Sequence, residues 1–309
     1  MVIVAVVGGT GSVGKTIVEA FEADGTHEVI VIGRKVPEGE QSVPTFAVDY
    51  SNIDQITRIL NERKIHTIVC TIAMYDPVSA QSERNMIEAA ANSATVKRFI
   101  PSNWGDKTPE DKTLWIAPNQ FRGESLEVLR KTDLEWTEFH NGLFLDYYGM
   151  PHVESHLTPL IVFVDIAHRA AAIPGTGDEL ISVTYTKDLA KFVVASLSLE
   201  KWDEVLHVYS DETSVKQIVQ LAEEATGDKF KVTYDSTDQL REGKITELPS
   251  HPYLYPYFPK PLLEGLLSKF GLWAVHDIMH YPKEGSLNER FPEIKTKSVK
   301  EMVGAWKGH

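Results

Sequence analysis

The sequence holds one cysteine, Cys70, among 309 residues. That excludes an intrachain disulfide and a Cys-rich zinc cluster, and it fits a reducing compartment. No apolar run is long enough to cross a bilayer. The opening MVIVAVVGG lacks a basic flank and reads as a strand rather than a signal peptide, so a cytoplasmic protein is expected. Positive charge is scarce too: 31 Lys and Arg stand against 44 Asp and Glu, a formal net charge of −13. Such a surface disfavours nucleic acid and anionic membrane as partners and leaves room for a local basic pocket. No repeat at solenoid spacing is present. The 42% of hydrophobic residues suffices for a sizeable core.

Short apolar, β-branched runs stand at 2–7, 27–32, 44–48, 66–72, 98–101 and 134–139. This is the pattern of strands buried on both faces. Helical spacing fills the intervals at 15–23, from a cap at Ser51 or Asn52 to 60, at 82–92 and at 120–131, with Pro77 in a loop before the third helix. The alternation predicts an α/β fold of Rossmann type, a doubly wound parallel sheet with right-handed crossovers. After about residue 150 prolines and aromatics become frequent and the alternation weakens. Strands are still expected at 180–183 and 205–208, and helices at 187–197 and 215–226.

The first strand runs into GGTGSVG, which places glycines at 8, 11 and 14. Gly8 suits the tight turn, Gly11 leaves space for a pyrophosphate, and Gly14 lets the helix pack closely. Thr10, Ser12 and Val13 fill the loop, and the helix N-terminus offers free N–H groups to an anion. An NAD site carries an acidic residue after the second strand; here Arg34 and Lys35 stand there, suited to the extra phosphate of NADP(H). The same stretch spells GxxxxGK[ST] at 9–16, but no later strand ends in a suitable Mg²⁺-binding Asp; Asp49 ends one early in the chain. The expected division is an NADP-binding domain over 1–150, with returning segments near 180–210, and a smaller substrate-binding lobe over 151–309.

Six segments in order, VVGGTGSVG, GRK, VDYSN, KRFIPSNWG, LEWTEFHNGLFLDYYG and IPGTGDELISVTYTKDLAKFVVASL, resemble the NmrA-like and isoflavone-reductase-like branch of the atypical short-chain dehydrogenases. The likeness covers most of 2–235. It implies an NADP-binding Rossmann domain with a C-terminal substrate lobe. It further implies Asp49 and Tyr50 near adenine, Ile72, Ala73, Ser102 and Asn103 bordering ribose and nicotinamide, and Gly142, Leu143 and Phe144 approaching the nicotinamide ring.

The Tyr-x-x-x-Lys pair of common short-chain dehydrogenases is missing, since no tyrosine here is followed four residues later by lysine. The resemblance places the catalytic lysine of isoflavone-reductase-like enzymes at Arg122. Arginine holds its proton, so it suits an oxyanion or ribose and not acid catalysis. A proton then comes from Tyr147, Tyr148, His140 or water, each side chain having a plain packing role as its alternative. Lys112 is a further candidate if the alignment slips. His276 and His280, spaced to share a helix face, lack a third ligand, so no metal is expected. The aromatic run 253–258 and Trp273 form either a wall for a flat substrate or a core. The reading is an NADPH-dependent reductase of a small aromatic or polyketide-like specialised metabolite. A non-catalytic NADP-binding regulator with a protein partner, and a non-redox isomerase or cyclase retaining NADP, stay open. A monomer or homodimer is expected.

Overall fold

The computed structural model describes residues 1–309. The chain forms two compact units, each built from several segments. The first comprises Met1–Trp104, Ala117–His140 and Ala190–His207. It contains β1 (Ile3–Val7), α1 (Ser12–Asp24), β2 (Glu28–Gly33), β3 (Thr45–Ala47), α2 (Ile53–Glu62), β4 (Thr67–Cys70), α3 (Pro77–Ala91), β5 (Arg98–Ile100), α4 (Ala117–Leu129), β6 (Glu135–Trp136) and β7 (Glu138–His140). Six strands pair in parallel in the order β3-β2-β1-β4-β5-β6. The order reverses between β1 and β4, and in open α/β sheets ligands bind beyond the strand C-termini at that point.

The strands are buried on both faces because helices cover both. Ala5, Val7, Ile30, Ile32, Ile68 and Phe99 share one cluster with Ile56, Leu60, Met86, Ile87 and Leu129 of the helices. The alternate residues Val4, Val6, Val29 and Val31 are buried as well. Each fully buried large apolar side chain here contributes about 1.5–3 kcal/mol.

Two expected boundaries move. The third helix starts at Pro77, not at 82: Asp76 accepts from the N–H groups of Val78 and Ser79 in a capping box, and Pro77 occupies the first helical position, which needs no N–H donor. The strand expected at 134–139 is broken at Thr137. Its first half pairs with β5, and its second half turns to pair with Val205–His207.

The second unit comprises Gly105–Ile116, Asn141–Leu189 and Val208–His309. The return to the first unit is therefore 190–207, and 105–116 forms an additional excursion. Its elements include β8 (Leu143–Phe144), β9 (Val164–Asp165), β10 (Ala170–Pro174), β11 (Leu180–Thr184), α5 (Thr186–Ser196, which crosses into the first unit), β12 (Asp211–Ser214), α6 (Val215–Thr226), β13 (Lys231–Asp235) and α7 (Lys260–Val275). They form two three-stranded sheets, β12-β11-β8 and β9-β10-β13. Leu145, Tyr148, Ile173, Val183, Ile218, Leu263, Trp273 and Met302 lie in its core.

This unit separates the aromatic residues that the sequence groups together. Trp273 is buried and its Nε1 donates to the Leu114 carbonyl, whereas Tyr253 and Tyr257 are 73% and 86% exposed. His276 and His280 share no helix face, because α7 ends at Val275 and Asp277 takes a φ of 57°.

Candidate cofactor and active site

The first unit gathers the glycine loop, the Arg34–Lys35 pair and the ends of β3, β4 and β5 at one edge of its sheet. Gly8 turns the chain with φ 82°, and its carbonyl accepts from Gly11 N at 2.9 Å. A Cβ on Gly14 would stand 2.5 Å from Thr71 Oγ1 and 2.6 Å from the Gly8 oxygen, so only glycine fits the helix to the sheet. Gly11 is exposed, and a Cβ there would meet only the Gly8 oxygen, at 3.3 Å. It caps α1 without a side-chain hydrogen bond, and the first turn carries no acidic residue. The leading N–H groups of α1, in Ser12 and Val13, thus remain for an anion, as a pyrophosphate requires.

Arg34 and Lys35 follow β2 and are exposed. Arg34 lies close enough to Tyr50 and Asp76 for its charge to act on both. Tyr50 is mostly buried: its hydroxyl donates to the Ile32 carbonyl at 3.4 Å, and Asn85 Nδ2 donates to its carbonyl at 2.8 Å. Burial pushes the phenol pKa well up, so it stays protonated. Asp49 is exposed and accepts from the N–H and hydroxyl of Ser51, which holds its carboxyl below the usual range. The VDYSN turn is therefore held by hydrogen bonds of its own, from Ser51 to Asp49.

At the inner strand ends the Ser102 hydroxyl donates to the Ile72 carbonyl at 2.7 Å, and Ala73 is exposed beside it. Ser102 N donates at 2.6 Å to Glu83, a buried carboxylate of α3 that the alanine-rich pattern of its helix conceals in the sequence. Burial holds the Glu83 carboxyl above its ordinary range, and the Ser102 N–H offsets only part of that rise. Arg122 sits on α4, close enough for its charge to act on that carboxylate. Lys112 lies in a 3₁₀ turn of the second unit.

Asn103 is buried; its Nδ2 donates to Glu138 Oε1 at 2.6 Å, and its Oδ1 has no protein partner. Glu138 Oε2 lies 3.8 Å from His140 Nε2. Glu138 is the second buried acid that sequence reasoning missed; its signal is a carboxylate two residues before His140, hence on the same strand face.

In the second unit Gly142 takes φ 64°, and a Cβ there would stand 2.1 Å from the Ser182 oxygen. Leu143 is buried in β8, and Phe144 meets Tyr147 edge-on at 6.3 Å. Tyr147 is half-buried, whereas Tyr148 is sealed in the core. A cavity of about 680 Å³ in this unit is lined by Lys107, Asp111, Leu114, Lys269 and His276, among others. His280 pairs with Glu212 at 2.6 Å and Asp277 at 3.3 Å.

The residues present fit a dinucleotide: an open, uncapped helix start, a glycine cradle without side chains, two cations beyond β2 and a buried orphan amide oxygen at Asn103. Fold and loop together define a Rossmann-type α/β protein. The NmrA-like family model matches residues 2–268, and the chain belongs to that family. Oxidoreductase BOA1 of Botryotinia fuckeliana is 40% identical over 95% of this chain and 96% of its own. The binary complex of leucoanthocyanidin reductase and NADPH from Vitis vinifera shares the fold at a TM-score of 0.75, with 15% identity over 98% of this chain and 99% of its own. AtPrR2, solved with NADP+ and (+)pinoresinol, does so at 0.76, with 17% identity over 99% of this chain and 98% of its own. No helix is long and apolar enough to cross a membrane.

Proposed function

We propose that the chain is an oxidoreductase that binds NADPH on its first unit and reduces a small aromatic or polyketide-like metabolite. The carrying observation is the uncapped N-terminus of α1, with Arg34 and Lys35 at the end of the neighbouring strand. Family membership supports it, as does a 40% identical relative named an oxidoreductase. When bound, the reduced nicotinamide supplies the hydride. The N–H groups of Ser12 and Val13 would hold the pyrophosphate, and Arg34 and Lys35 would hold the 2′-phosphate. Asp49 and Tyr50 would border adenine, and Ile72, Ala73, Ser102 and Asn103 would line the inner pocket of the same unit; for the nicotinamide the family resemblance points to Gly142, Leu143 and Phe144. Arg122 keeps its proton and stabilises developing oxyanion charge by hydrogen bonding. His140, backed by Glu138, and Tyr147 are the proton donors to test.

The test is loss of the NADPH absorbance with a panel of aromatic carbonyls and enones. Turnover by at least one is expected; tight cofactor binding with no turnover across the panel counts against it. Arg122 in place of a lysine also favours a second reading, a non-catalytic regulator. That reading predicts comparable affinity for oxidised and reduced dinucleotide, or a protein partner recovered by pulldown.

A further inference from the structure

We propose that the cavity of about 680 Å³ in the second unit binds an amphipathic carboxylate, a small molecule with an acidic head and a flat apolar body. Small-molecule pockets commonly measure about 300–1,000 Å³, so the volume suits such a ligand. The proposal does not depend on the NADPH reading, because every residue it uses belongs to the second unit. Three observations carry it. The first is charge. Acids outnumber bases in the whole chain, 44 to 31, yet the lining reverses that balance, with Lys107, Arg241 and Lys269 against Glu110 and Asp111. Asp111 is engaged within its own loop, where it accepts from the Thr113 N–H at 2.8 Å. Arg241 makes one contact with Asp238, at 3.2 Å, and Lys269 gives one N–H to the Thr113 carbonyl, at 2.6 Å. A guanidinium has five donors and an ammonium three, so both cations keep donors for a ligand.

The second observation is the apolar share of the wall. Pro109, Leu114, Leu272 and Ile278 offer surface that a bare phosphate cannot use and a hydrocarbon ring can. Beside such a wall a charge pair is less screened by water than in the open. The third is that the wall is held in place by the protein's own bonds. The Lys107 N–H donates to the Tyr281 hydroxyl at 2.9 Å, and Trp273 Nε1 of α7 donates to the Leu114 carbonyl at 2.8 Å. With the Lys269 contact to Thr113, these fix the segment 107–114 at both ends. The short helix Thr237–Arg241 packs directly on α7, since a Cβ on Gly271 would stand 2.9 Å from Leu240 Cδ2. Its last residue, Arg241, is thereby brought to the cavity. A pocket built before its ligand arrives loses less to ordering when it binds.

The experiment is calorimetric titration of the full chain with cinnamate, with its uncharged counterpart cinnamamide and with inorganic phosphate. Cinnamate is expected to bind with a Kd of about 1 mM or tighter, and the other two at least about tenfold more weakly. Lys107→Glu and Arg241→Glu change exposed side chains, and each should weaken cinnamate by about tenfold. Thr113→Trp keeps the carbonyl that Lys269 uses and fills the cavity from an exposed position, so it should abolish binding. Thermal melts confirm that each variant is folded. Equal affinity for acid and amide, phosphate as tight as cinnamate, cinnamate affinity undiminished in the folded variants, or no binding of cinnamate by the wild type each overturns the proposal. The NADPH reading stands whichever result is found.

Discussion

Two helices start in the first unit, on elements that follow β1 and β4, and they finish their N-termini in opposite ways. At α3 the chain satisfies itself: Asp76 takes the N–H groups of Val78 and Ser79, Ser79 answers back to Asp76, and Pro77 removes a further donor. At α1 Gly11 contributes no side chain, and no acid stands in the first turn. A free N–H at a helix start favours negative charge wherever that charge comes from. A capped start draws it from its own sequence; an open one leaves it to a ligand.

The harshest way to break the contrast is Gly14→Val, whose branched side chain must displace Thr71 and the Gly8 carbonyl. It should cost about 3 kcal/mol in denaturant melts and abolish NADPH binding. Gly11→Asp makes α1 resemble α3. The backbone there is extended, with φ −86° and ψ 177°, so the aspartate fits and caps the helix. Stability should rise by a few tenths of a kcal/mol while NADPH affinity falls about a hundredfold by calorimetry; unchanged affinity removes the meaning given to the open end. Arg34→Ala should reduce the preference for NADPH over NADH by about 10–50-fold, read as the ratio of the two dissociation constants.

The smallest effect is Asp76→Ala. Its melting temperature should drop by a few degrees, with NADPH affinity within about threefold of wild type. The Ser79 N–H above all holds the Asp76 carboxyl below its ordinary 3.8. The cap is therefore complete above that value and is lost as pH falls through the lowered one. Melts of wild type and variant should keep their separation above 3.8 and draw together only as the pH is taken further down; a separation that stays constant through the acid range refutes the assignment.

The same contrast explains what could be read in advance. The glycine loop, the Arg34–Lys35 pair and the alternation of strands and helices are local signals, and the parallel order β3-β2-β1-β4-β5-β6 agrees with them. Pro77 misleads because proline marks a loop and a helix start alike; only the Asp76 cap decides. The run 134–139 reads as one strand because its apolar residues are continuous, yet Thr137 hands the chain from β5 to Val205–His207, a partner about seventy residues away that no local pattern announces. Glu83 and Glu138 are easily passed over for a related reason: a carboxylate in a helix or strand is normally solvated; the spacing to His140 hints at Glu138, but only the folded chain brings Ser102 and Asn103 to the two acids. Trp273 and Tyr257 look alike in an aromatic stretch, and tertiary packing sends one into the core and the other to solvent.

The single thiol, at the end of β4, has a use that follows from its surroundings. Cys70 is 0% exposed, and burial pushes its pKa well up. A thiol-directed alkylating reagent therefore meets no thiol on the native surface, and modification of Cys70 records an opening of the sheet itself. Pulse alkylation followed by intact mass then reads the conformational lifetime of the first unit from one residue, and occupancy of the adjoining edge by a nucleotide should lengthen it.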